Sequence, residues 1–527
     1  MSALPSPFGE SAAPTGARPW GLIVLVTALF VVRLALGANL HLTEDEAYYR
    51  LWAQAPALGY YDHPPMVAWW IWLGVHLVGD NPLGVRLLPI VSCALSTVLV
   101  YDVARLAGGA PADSERAGVW YNAMPLVAAG GFLAVPDASA AFFWILSLWA
   151  TLKALRDQAL GWWLMAGAAA GLATLSKYSA LFLGPGVLIW MAWTPSGRSS
   201  LSRPGPWMAL GVAASLFGLN LWWNADHHWL TLVKQFGRIA PHRLAPRYLV
   251  EFVATEALLL NPLLAIFVAR LLGAGPNDQK NRPNLEPFVA TSLPFVGYLL
   301  AHSLHDRIQA HWPAPVYPAI AICAAFAASR AGHGWKRARH WVPAVGLGAA
   351  GIIAAFVSLP MIGLPIPLDP AAPIRGWPSF AGDVESLRVK TGAGWVATTS
   401  YGLAAQLADE PGISAPVLQI NERARWVGLK QGAWADVTRP GLLVELQRRI
   451  DLAGLRRCFR TVRPLTVLER GAPGAPKKAY SAIWLDRPIR NVVREGCDGA
   501  AAPPISGFAG VRVPGGAGPA SSGASPG

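Results

Sequence analysis

Runs of about 17–20 apolar residues recur along this chain as far as residue 362, and an α-helix needs a run of that length to cross a bilayer. Charged residues make up only 14% of the 527 residues, whereas soluble domains carry about 25%. The sequence therefore predicts an all-α polytopic membrane domain with about eleven crossings. The expected spans lie near residues 20–38, 84–107, 117–135, 139–155, 162–176, 179–193, 207–223, 253–272, 288–304, 312–329 and 341–362.

Basic residues occur in every second loop between these runs, and Lys and Arg favour the cytoplasmic side of a membrane. This rule places the N terminus in the cytoplasm and everything after about residue 363 outside it. The net charge of +13 suits a membrane with anionic lipids, which are therefore expected partners. Nucleic acid is not an expected partner, because the charge is scattered over short loops and forms no basic domain.

Two regions depart from the simple pattern of spans. Residues 66–79 are apolar but short for a crossing, and counting them as a span would invert all later loops against the charge rule. We predict a helix that lies along the outer membrane surface. The runs 162–176 and 179–193 are also short and are expected to be half-helices that meet around Lys177.

The remaining chain changes in composition, and we divide it into a membrane domain over 1–362, an extracytoplasmic α/β domain over 363–500 and a disordered tail over 501–527. Short strands are expected near 394–398, 417–420, 465–468 and 483–485, and an amphipathic helix over 442–455. Cys93 and Cys323 lie within apolar runs. Cys458 and Cys497 form either a disulfide, if this domain faces an oxidising compartment, or two free thiols.

Acidic residues at the predicted outer face are the first candidates for chemistry. Three consecutive acids follow the first span, and Thr43 and Glu46 have the spacing of a capping box. Capping accounts for Glu46, which is also a candidate for binding a donor or an acceptor, but leaves Asp45 unexplained. Asp137 lies at the outer end of another span, where it could cap the next helix. Two carboxylates on one face can divide the roles of base and positioning group, so Asp45 and Asp137 are the candidate catalytic residues.

Polar residues near these acids are candidates for binding a donor or an acceptor. Tyr61, Asp62 and His63 precede two prolines and either bind a sugar or phosphate or cap the surface helix. Lys177, followed by Tyr178, is flanked by apolar sequence. A lysine in such a position is expensive in a membrane and predicts an anionic partner, with snorkelling to the interface as the alternative.

Two later outer loops complete the set of candidates. One carries His227, His228, Arg238 and Arg243, and its positive charge on the outer face predicts an anionic ligand such as a lipid phosphate, or a surface helix that binds anionic headgroups. The other carries His311. Histidine with a carboxylate can bind a divalent metal ion. We consider Asp62 with His227 or His228 as ligands, although no tight ligand motif is present.

These motifs, in this order, resemble the GT-C type membrane glycosyltransferases, in the bacterial branch related to protein O-mannosyltransferases and to the lipid A aminoarabinose transferase. The resemblance covers the chain to about residue 330. Where that branch has a glutamate and a lysine before the proline pair, this sequence has Asp62 and His63. The motifs that carry the resemblance are Asp45–Tyr49, Tyr61–Pro65, Gly79–Leu87, Pro136–Asp137, Leu175–Tyr178 and His311–Pro313.

The resemblance implies an inverting transferase in the bacterial inner membrane that uses a polyprenyl-phosphate sugar on the periplasmic side. The acceptor would be a lipid, glycan or protein of the cell envelope. It implies that Asp45 acts as a general base or orients the acceptor, that Asp137 is the second acid, and that a histidine of the later loop can hold a metal. Lys177 and the basic loop would stabilise the departing phosphate.

A secondary transporter is the rival interpretation, because buried acids, a lysine and broken helices also suit ion-coupled transport. Against it, the polar residues gather at outer loop edges and the sequence shows no repeated halves. A phosphotransferase or ligase on another fold that uses the same donor lipid is a third alternative.

Overall fold

A computed structural model describes residues 19–237, 244–272, 284–359, 364, 369–429, 434–471 and 477–498. Arg238, Arg243 and the tail over 501–527 lie outside these residues.

Helices account for most of the described chain up to Ser358. In chain order they are α1 Trp20–Asn39, α2 Glu44–Ala53, α3 Met66–Val78, α4 Pro82–Leu106, α5 Pro111–Asn122, α6 Pro125–Gly130, α7 Pro136–Asp157, α8 Leu160–Ser176, α9 Leu183–Trp193, α10 Pro195–Leu201, α11 Pro204–Asp226, α12 Leu230–Gly237, α13 Arg247–Leu259, α14 Pro262–Leu272, α15 Glu286–His302, α16 Tyr317–Arg330 and α17 Lys336–Ser358.

Length and apolar composition identify an integral membrane protein. Within the described residues, four helical segments could cross a membrane: Trp20–Asn39, Pro82–Leu106, Pro136–Asp157 and His333–Ser358. The pair α13 and α14 would make a fifth, although it bends by 109° between Leu259 and Pro262. The count of about eleven crossings stays a prediction, because several expected spans are shorter or broken helices.

Helix breaks explain where the expected spans and the structure differ. The run over 117–135 is divided between α5 and α6, because Pro125 starts a new helix after Met124 adopts an extended conformation. Around Lys177 the structure shows the expected break between two apolar helices. Helix α8 ends at Ser176, Lys177 is extended, and a short 3₁₀ segment leads into α9.

The C-terminal region contains a five-stranded sheet in the order β2-β1-β3-β5-β4. Strand β1 pairs in parallel with β2 and β3, while β5 runs antiparallel to β3 and β4. The elements are α18 Trp377–Thr391, β1 Trp395–Thr398, α19 Tyr401–Asp409, β2 Val417–Gln419, α20 Trp434–Val437, β3 Gly441–Leu446, α21 Leu452–Cys458, β4 Phe459–Arg470 and β5 Lys478–Pro488.

The predicted helix over 442–455 is wrong. Residues Gly441–Leu446 form β3, a 3₁₀ turn follows at Gln447–Arg449, and α-helix appears only at the end of the predicted range, in α21. Strand β3 lies between β1 and β5 and is buried along five of its six residues. A central strand buried on both faces reads as a continuous apolar run, and periodicity cannot tell such a run from a buried helix.

The structure answers whether Cys458 and Cys497 form a disulfide or remain free thiols. Cys458, at the end of α21, forms a disulfide with Cys497, with the two Cα atoms 5.7 Å apart. Cys93 and Cys323 are free thiols buried within helices. The disulfide ties the last described segment to the sheet.

The C-terminal region packs on the helical part of the chain through α2. Helix α19 lies against α2, and Arg50 of α2 pairs with Asp409 of α19. The Gln406 amide donates a hydrogen bond to the Leu42 carbonyl at 2.8 Å. One apolar core crosses this contact and includes Tyr48, Trp52, Ala404, Ala405 and Trp426. The C-terminal region is therefore fixed against the loop that carries Asp45.

Candidate functional site

A buried carboxylate, that of Glu46, connects the two segments that carry the candidate acids. Glu46 and Arg86 have no solvent exposure, and the guanidinium donates hydrogen bonds of 2.8 and 2.7 Å to the carboxylate. Glu46 completes the expected capping box with Thr43 and also accepts from the Ala134 amide at 3.0 Å. The start of α2 is thereby joined to the segment before Asp137. The carboxylate of Glu46 is enclosed and fully bonded, and this environment does not favour the predicted contact with donor or acceptor.

Asp45 stands beside Glu46 but has a different environment. It is exposed to solvent, and its carboxylate accepts a hydrogen bond of 2.8 Å from the Tyr401 hydroxyl. Dense protein around the carboxyl still raises the pKa of Asp45 above its ordinary value by desolvation, and the hydrogen bond from Tyr401 opposes that rise. Among the described residues, no Lys, Arg or His lies within ion-pair distance of Asp45.

Asp62 is the opposite case, because two cations pair with it. Its carboxylate contacts Lys234 of α12 on one oxygen and Arg425 on the other, and it accepts a hydrogen bond of 3.1 Å from the Tyr48 hydroxyl. Burial would raise the pKa of Asp62, but Arg425 and Lys234 outweigh burial and hold it below its ordinary value. The Tyr61 ring lies 4.1 Å from the Lys234 ammonium and 5.3 Å from the Arg425 guanidinium.

Asp137 pairs with Lys177 across the site. The two side chains are 2.6 Å apart, and His311 Nε2 lies 3.6 Å from the second oxygen of Asp137. Asp137 is buried at the second position of α7 and caps no helix, and Lys177 does not snorkel away but turns to this carboxylate. The Trp312 ring lies 5.7 Å from the ammonium group. The anionic partner expected for Lys177 is therefore present within the protein itself.

His63 lies between these pairs, with Asp62, Lys177, Asp137 and Lys234 as its charged neighbours. Burial lowers the pKa of His63 to about 4, so its imidazole is neutral at pH 7. It caps no helix, since α3 begins after Pro65 without a side-chain cap.

A cavity of about 180 Å³ begins at His63 and Lys177. The rest of its wall is mostly apolar and aromatic, which suits the mixed polar and apolar character of a lipid-linked ligand. Its remaining lining residues are Tyr178, Ser179, Leu181, Phe182, Gln235, Phe236, Phe295, Tyr298, His302 and Trp312.

Tyr178 and His227 both contact helix α11. The Tyr178 hydroxyl donates a hydrogen bond of 2.7 Å to Asn220, and the His227 ring stacks on Trp223 with the ring centroids 4.0 Å apart. His227 Nδ1 also lies 2.8 Å from the Trp223 carbonyl. His228 follows with a positive φ of 55°.

The residues proposed from the sequence as metal ligands do not fit a metal ion. Asp62 already pairs with two cations, and His227 is engaged with Trp223. Across the described ranges, no group of three or more His, Cys, Asp or Glu side chains is arranged to hold a metal. The structure thus gives no support to a site formed by Asp62 with His227 or His228.

Two side chains that reach the site come from the C-terminal region and were not predicted. Tyr401 follows β1 and bonds to Asp45, whereas Arg425 follows β2 and pairs with Asp62. The guanidinium of Arg425 lies 4.3 Å from the Tyr401 ring. No local motif marks either residue, because their role depends on how the sheet packs on α2. The only signal that could have led to Arg425 was indirect, because an acid such as Asp62 at a buried site needs a cationic partner.

The fold is that of the GT-C membrane glycosyltransferases, as the sequence resemblance indicated. The structure is similar to that of ArnT from Cupriavidus metallidurans bound to undecaprenyl phosphate, with a TM-score of 0.61 and 14% sequence identity. The similarity covers 89% of this chain and 98% of that chain.

Sequence comparison gives relatives of the same kind. Residues 62–223 match the family described as dolichyl-phosphate-mannose-protein mannosyltransferase. The chain is 30% identical over 289 residues to lipid A galacturonosyltransferase RgtD of Rhizobium johnstonii, covering 53% of this chain and 59% of the relative. It is also 30% identical to the undecaprenyl phosphate-α-4-amino-4-deoxy-L-arabinose arabinosyl transferase of Pseudomonas aeruginosa, covering 40% of this chain and 41% of the relative. The matches thus span less than two thirds of either relative.

Proposed function

We propose that this protein is a membrane glycosyltransferase that moves a sugar from a polyprenyl-phosphate donor to lipid A or a related envelope lipid. Named relatives act on lipid A or on an undecaprenyl-phosphate-linked sugar, and the fold neighbour was solved with undecaprenyl phosphate. In the reaction the bond from the anomeric carbon to the phosphate oxygen breaks, and a bond to an acceptor oxygen forms. The acceptor oxygen loses its proton, and the polyprenyl phosphate leaves.

The environment of Asp45 is the observation that carries this proposal. A general base needs a carboxylate that is accessible, unpaired and more basic than usual. Asp45 meets these conditions, whereas Asp62 and Asp137 are buried and ion-paired. Asp45 takes the acceptor's proton as the acceptor oxygen attacks, and Tyr401 fixes the orientation of its carboxylate.

The donor phosphate binds near Lys177, at the polar end of the aromatic cavity. Negative charge grows on the phosphate as the glycosidic bond breaks, and a cation in a site shielded from water stabilises that charge. Asp137 holds the lysine in place, and His311 contacts the other oxygen of Asp137. A single displacement of this kind inverts the anomeric centre. Arg238 and Arg243 belong to the same proposal as further phosphate contacts.

The site faces the periplasm in this proposal, in a protein of the bacterial inner membrane with about eleven crossings. Its parts are a membrane domain over 1–362, a periplasmic domain over 363–500 and a tail over 501–527. The Cys458–Cys497 disulfide supports this orientation, because structural disulfides persist in oxidising compartments such as the periplasm.

Reconstitution with defined lipids tests the function. The purified protein in lipid vesicles is given lipid A and undecaprenyl phosphate carrying 4-amino-4-deoxy-L-arabinose or galacturonic acid. We expect mass spectrometry to show free undecaprenyl phosphate and glycosylated lipid A in equal amounts. A transporter would move a lipid or solute across the vesicle membrane without consuming the donor. If both donors stay intact in the presence of lipid A, the proposal is contradicted.

A further inference from the structure

One edge of the parallel part of the C-terminal sheet lies next to the candidate site. Strands β1, β2 and β3 run in the same direction, so their carboxyl ends lie at a common edge. Tyr401 follows β1 and contacts Asp45, and Arg425 follows β2 and contacts Asp62. Ligands of open α/β sheets bind at this edge of the parallel strands. The segment that follows β3 is the third connection here, and neither the acids nor the cavity described above involves it.

That third connection is strongly basic. The Gln447–Arg449 turn carries Arg448 and Arg449, which are both exposed. Lys478, at the start of β5, lies beside this turn, because Leu446 and Tyr480 are partners in the register of β3 and β5. We call Arg448, Arg449 and Lys478 the cationic edge.

The three side chains of the cationic edge form no ion pairs among the described residues, because no carboxylate there lies within ion-pair distance of them. Partial burial lowers the pKa of the Lys478 ammonium, and neighbouring Arg470, Arg448 and Arg449 lower it further, against an opposing effect of Glu44. Arg470 is itself buried, with one guanidinium nitrogen lacking a hydrogen-bond partner. Cations gathered in this way favour a bound oxyanion.

The cationic edge is connected to Asp45 by a short chain of contacts. Arg449 donates a hydrogen bond of 3.0 Å to the Ser400 hydroxyl, and Ser400 immediately precedes Tyr401. The Tyr401 hydroxyl in turn bonds to Asp45. Glu44, whose charge acts on Lys478, is the sequence neighbour of Asp45. An anion held at the cationic edge would therefore lie near the reacting end of an acceptor bound at Asp45.

We propose that the cationic edge binds a phosphate group on the headgroup of the acceptor lipid and so places the acceptor's reactive oxygen at Asp45. Arginine suits this task because its planar fork of donors matches phosphate geometry. The proposal rests on the proposed function for the identity of the acceptor. Attraction of bulk anionic lipids would not require cations next to Asp45, so the location favours the acceptor.

A double substitution tests the proposal, with a matched control on the same sheet. R448A/R449A removes two exposed cations from the cationic edge. R460A/R494A removes two exposed cations elsewhere, and Arg460 lies at the opposite end of β4 from the segment paired with Lys478. We expect the first variant to raise KM for phosphorylated lipid A by about tenfold, with kcat and the donor KM within about twofold of wild type. The control should resemble wild type.

The acceptor's phosphate is tested by removing it. With phosphatase-treated lipid A, wild type and R448A/R449A should have equal KM values, because the contact no longer exists in either. Lys478→Gln should raise KM for the phosphorylated lipid in the same direction by a smaller factor. An unchanged KM in R448A/R449A, an equal rise in the control, or an equal rise with the treated lipid would each overturn the proposal.

A binding measurement separates this proposal from the proposed function. Equilibrium binding of phosphorylated lipid A to the purified full-length protein needs no donor and no turnover. We expect about tenfold weaker binding for R448A/R449A than for wild type. If wild type fails to transfer sugar but shows this difference, the function is wrong and the phosphate site stands. If wild type transfers sugar and binding is the same in both, the phosphate site is wrong and the function stands.

Discussion

Asp45 and Asp62 carry the same functional group at two corners of one site, yet their surroundings have opposite effects. The C-terminal region supplies a neutral hydroxyl to Asp45 and a guanidinium to Asp62. The pKa of the first carboxyl is raised and that of the second is lowered. A carboxylate with two cations is a structural anchor, whereas an accessible one with a raised pKa is available to accept a proton. On this basis we propose a chemical role for Asp45 and a structural role for Asp62.

The largest expected effect is the loss of turnover when Asp45 is substituted. Asp45→Asn keeps an oxygen that accepts from Tyr401 but removes the basic group, so we expect kcat to fall by about 10²–10⁴-fold. The thermal unfolding midpoint should stay close to that of wild type, because the side chain is exposed and has no ion pair. Product formation by mass spectrometry measures the loss. A variant that turns over at near the wild-type rate would remove Asp45 from the role of base.

At the Asp62 corner we expect the main loss in stability. Asp62→Asn leaves Lys234 and Arg425 facing each other without a carboxylate, and breaking a buried pair in this way costs about 3–5 kcal/mol. Asp80→Asn is the matched control, because Asp80 pairs with Arg50 at the surface, where such pairs contribute about 0–1 kcal/mol. Equal unfolding midpoints for the two variants would contradict the assignment.

The pH dependence of the Asp62 effect has a defined sign. The folded-state pKa of Asp62 is lowered, so its contribution is fully present above the pKa of the unfolded chain. The contribution is lost as the pH falls through the folded-state pKa. The difference in unfolding midpoint between wild type and Asp62→Asn should therefore shrink on acidification, and a difference that grew instead would show that another group is responsible.

Lys177 extends the comparison to the third carboxylate, Asp137. Lys177→Gln removes the cation proposed to meet the donor phosphate, and we expect binding of undecaprenyl phosphate to weaken by about tenfold, the scale of one charge-assisted contact. Lys153→Gln is the control, since Lys153 also pairs with an aspartate, Asp102, at a distance of 3.9 Å. Unchanged affinity in Lys177→Gln would leave the lysine as a partner of Asp137 alone.

The sequence predicted one side of the site better than the other. Asp45, Asp137 and Lys177 were found because an ionisable residue beside an apolar run is costly and so conspicuous. The helix break at Lys177 was predicted because the two apolar runs beside it are each short for a membrane crossing. These inferences need only local sequence and the thickness of a bilayer, and the structure brings all three residues to one site.

The contributions of the C-terminal region could not be predicted in the same way. Tyr401 and Arg425 lie more than 350 residues after their partners, at separations of 356 and 363, and nothing local marks them. The error at β3 has a related cause, because a central strand shows no alternation of apolar and polar residues. Because β3 was not predicted as a strand, neither the strand order nor the sheet edge that faces Asp45 could be predicted from the sequence.

The smallest expected effect is that of Tyr401→Phe, which tests directly how the C-terminal region sets the pKa of Asp45. It removes one hydrogen bond from Asp45 without altering any charge, so we expect kcat to fall by only about twofold to tenfold. The hydrogen bond lowers the pKa of Asp45, so its loss should raise that pKa further. Because the deprotonated carboxylate is the active form, the acid limb of kcat/KM against pH should move to higher pH.

The control for that shift is Tyr248→Phe, which removes a hydroxyl that accepts from Arg247 on α13 and should leave the pH profile unchanged. Tyr401 also packs against Tyr48 in the core shared with α2, so a loss of packing could lower kcat by itself. Packing alone would reduce the rate equally at every pH. A fall in rate without movement of the acid limb would mean that Tyr401 supports the fold and does not tune the pKa of Asp45. The difference in pKa between Asp45 and Asp62 would then depend only on burial and on neighbouring cations.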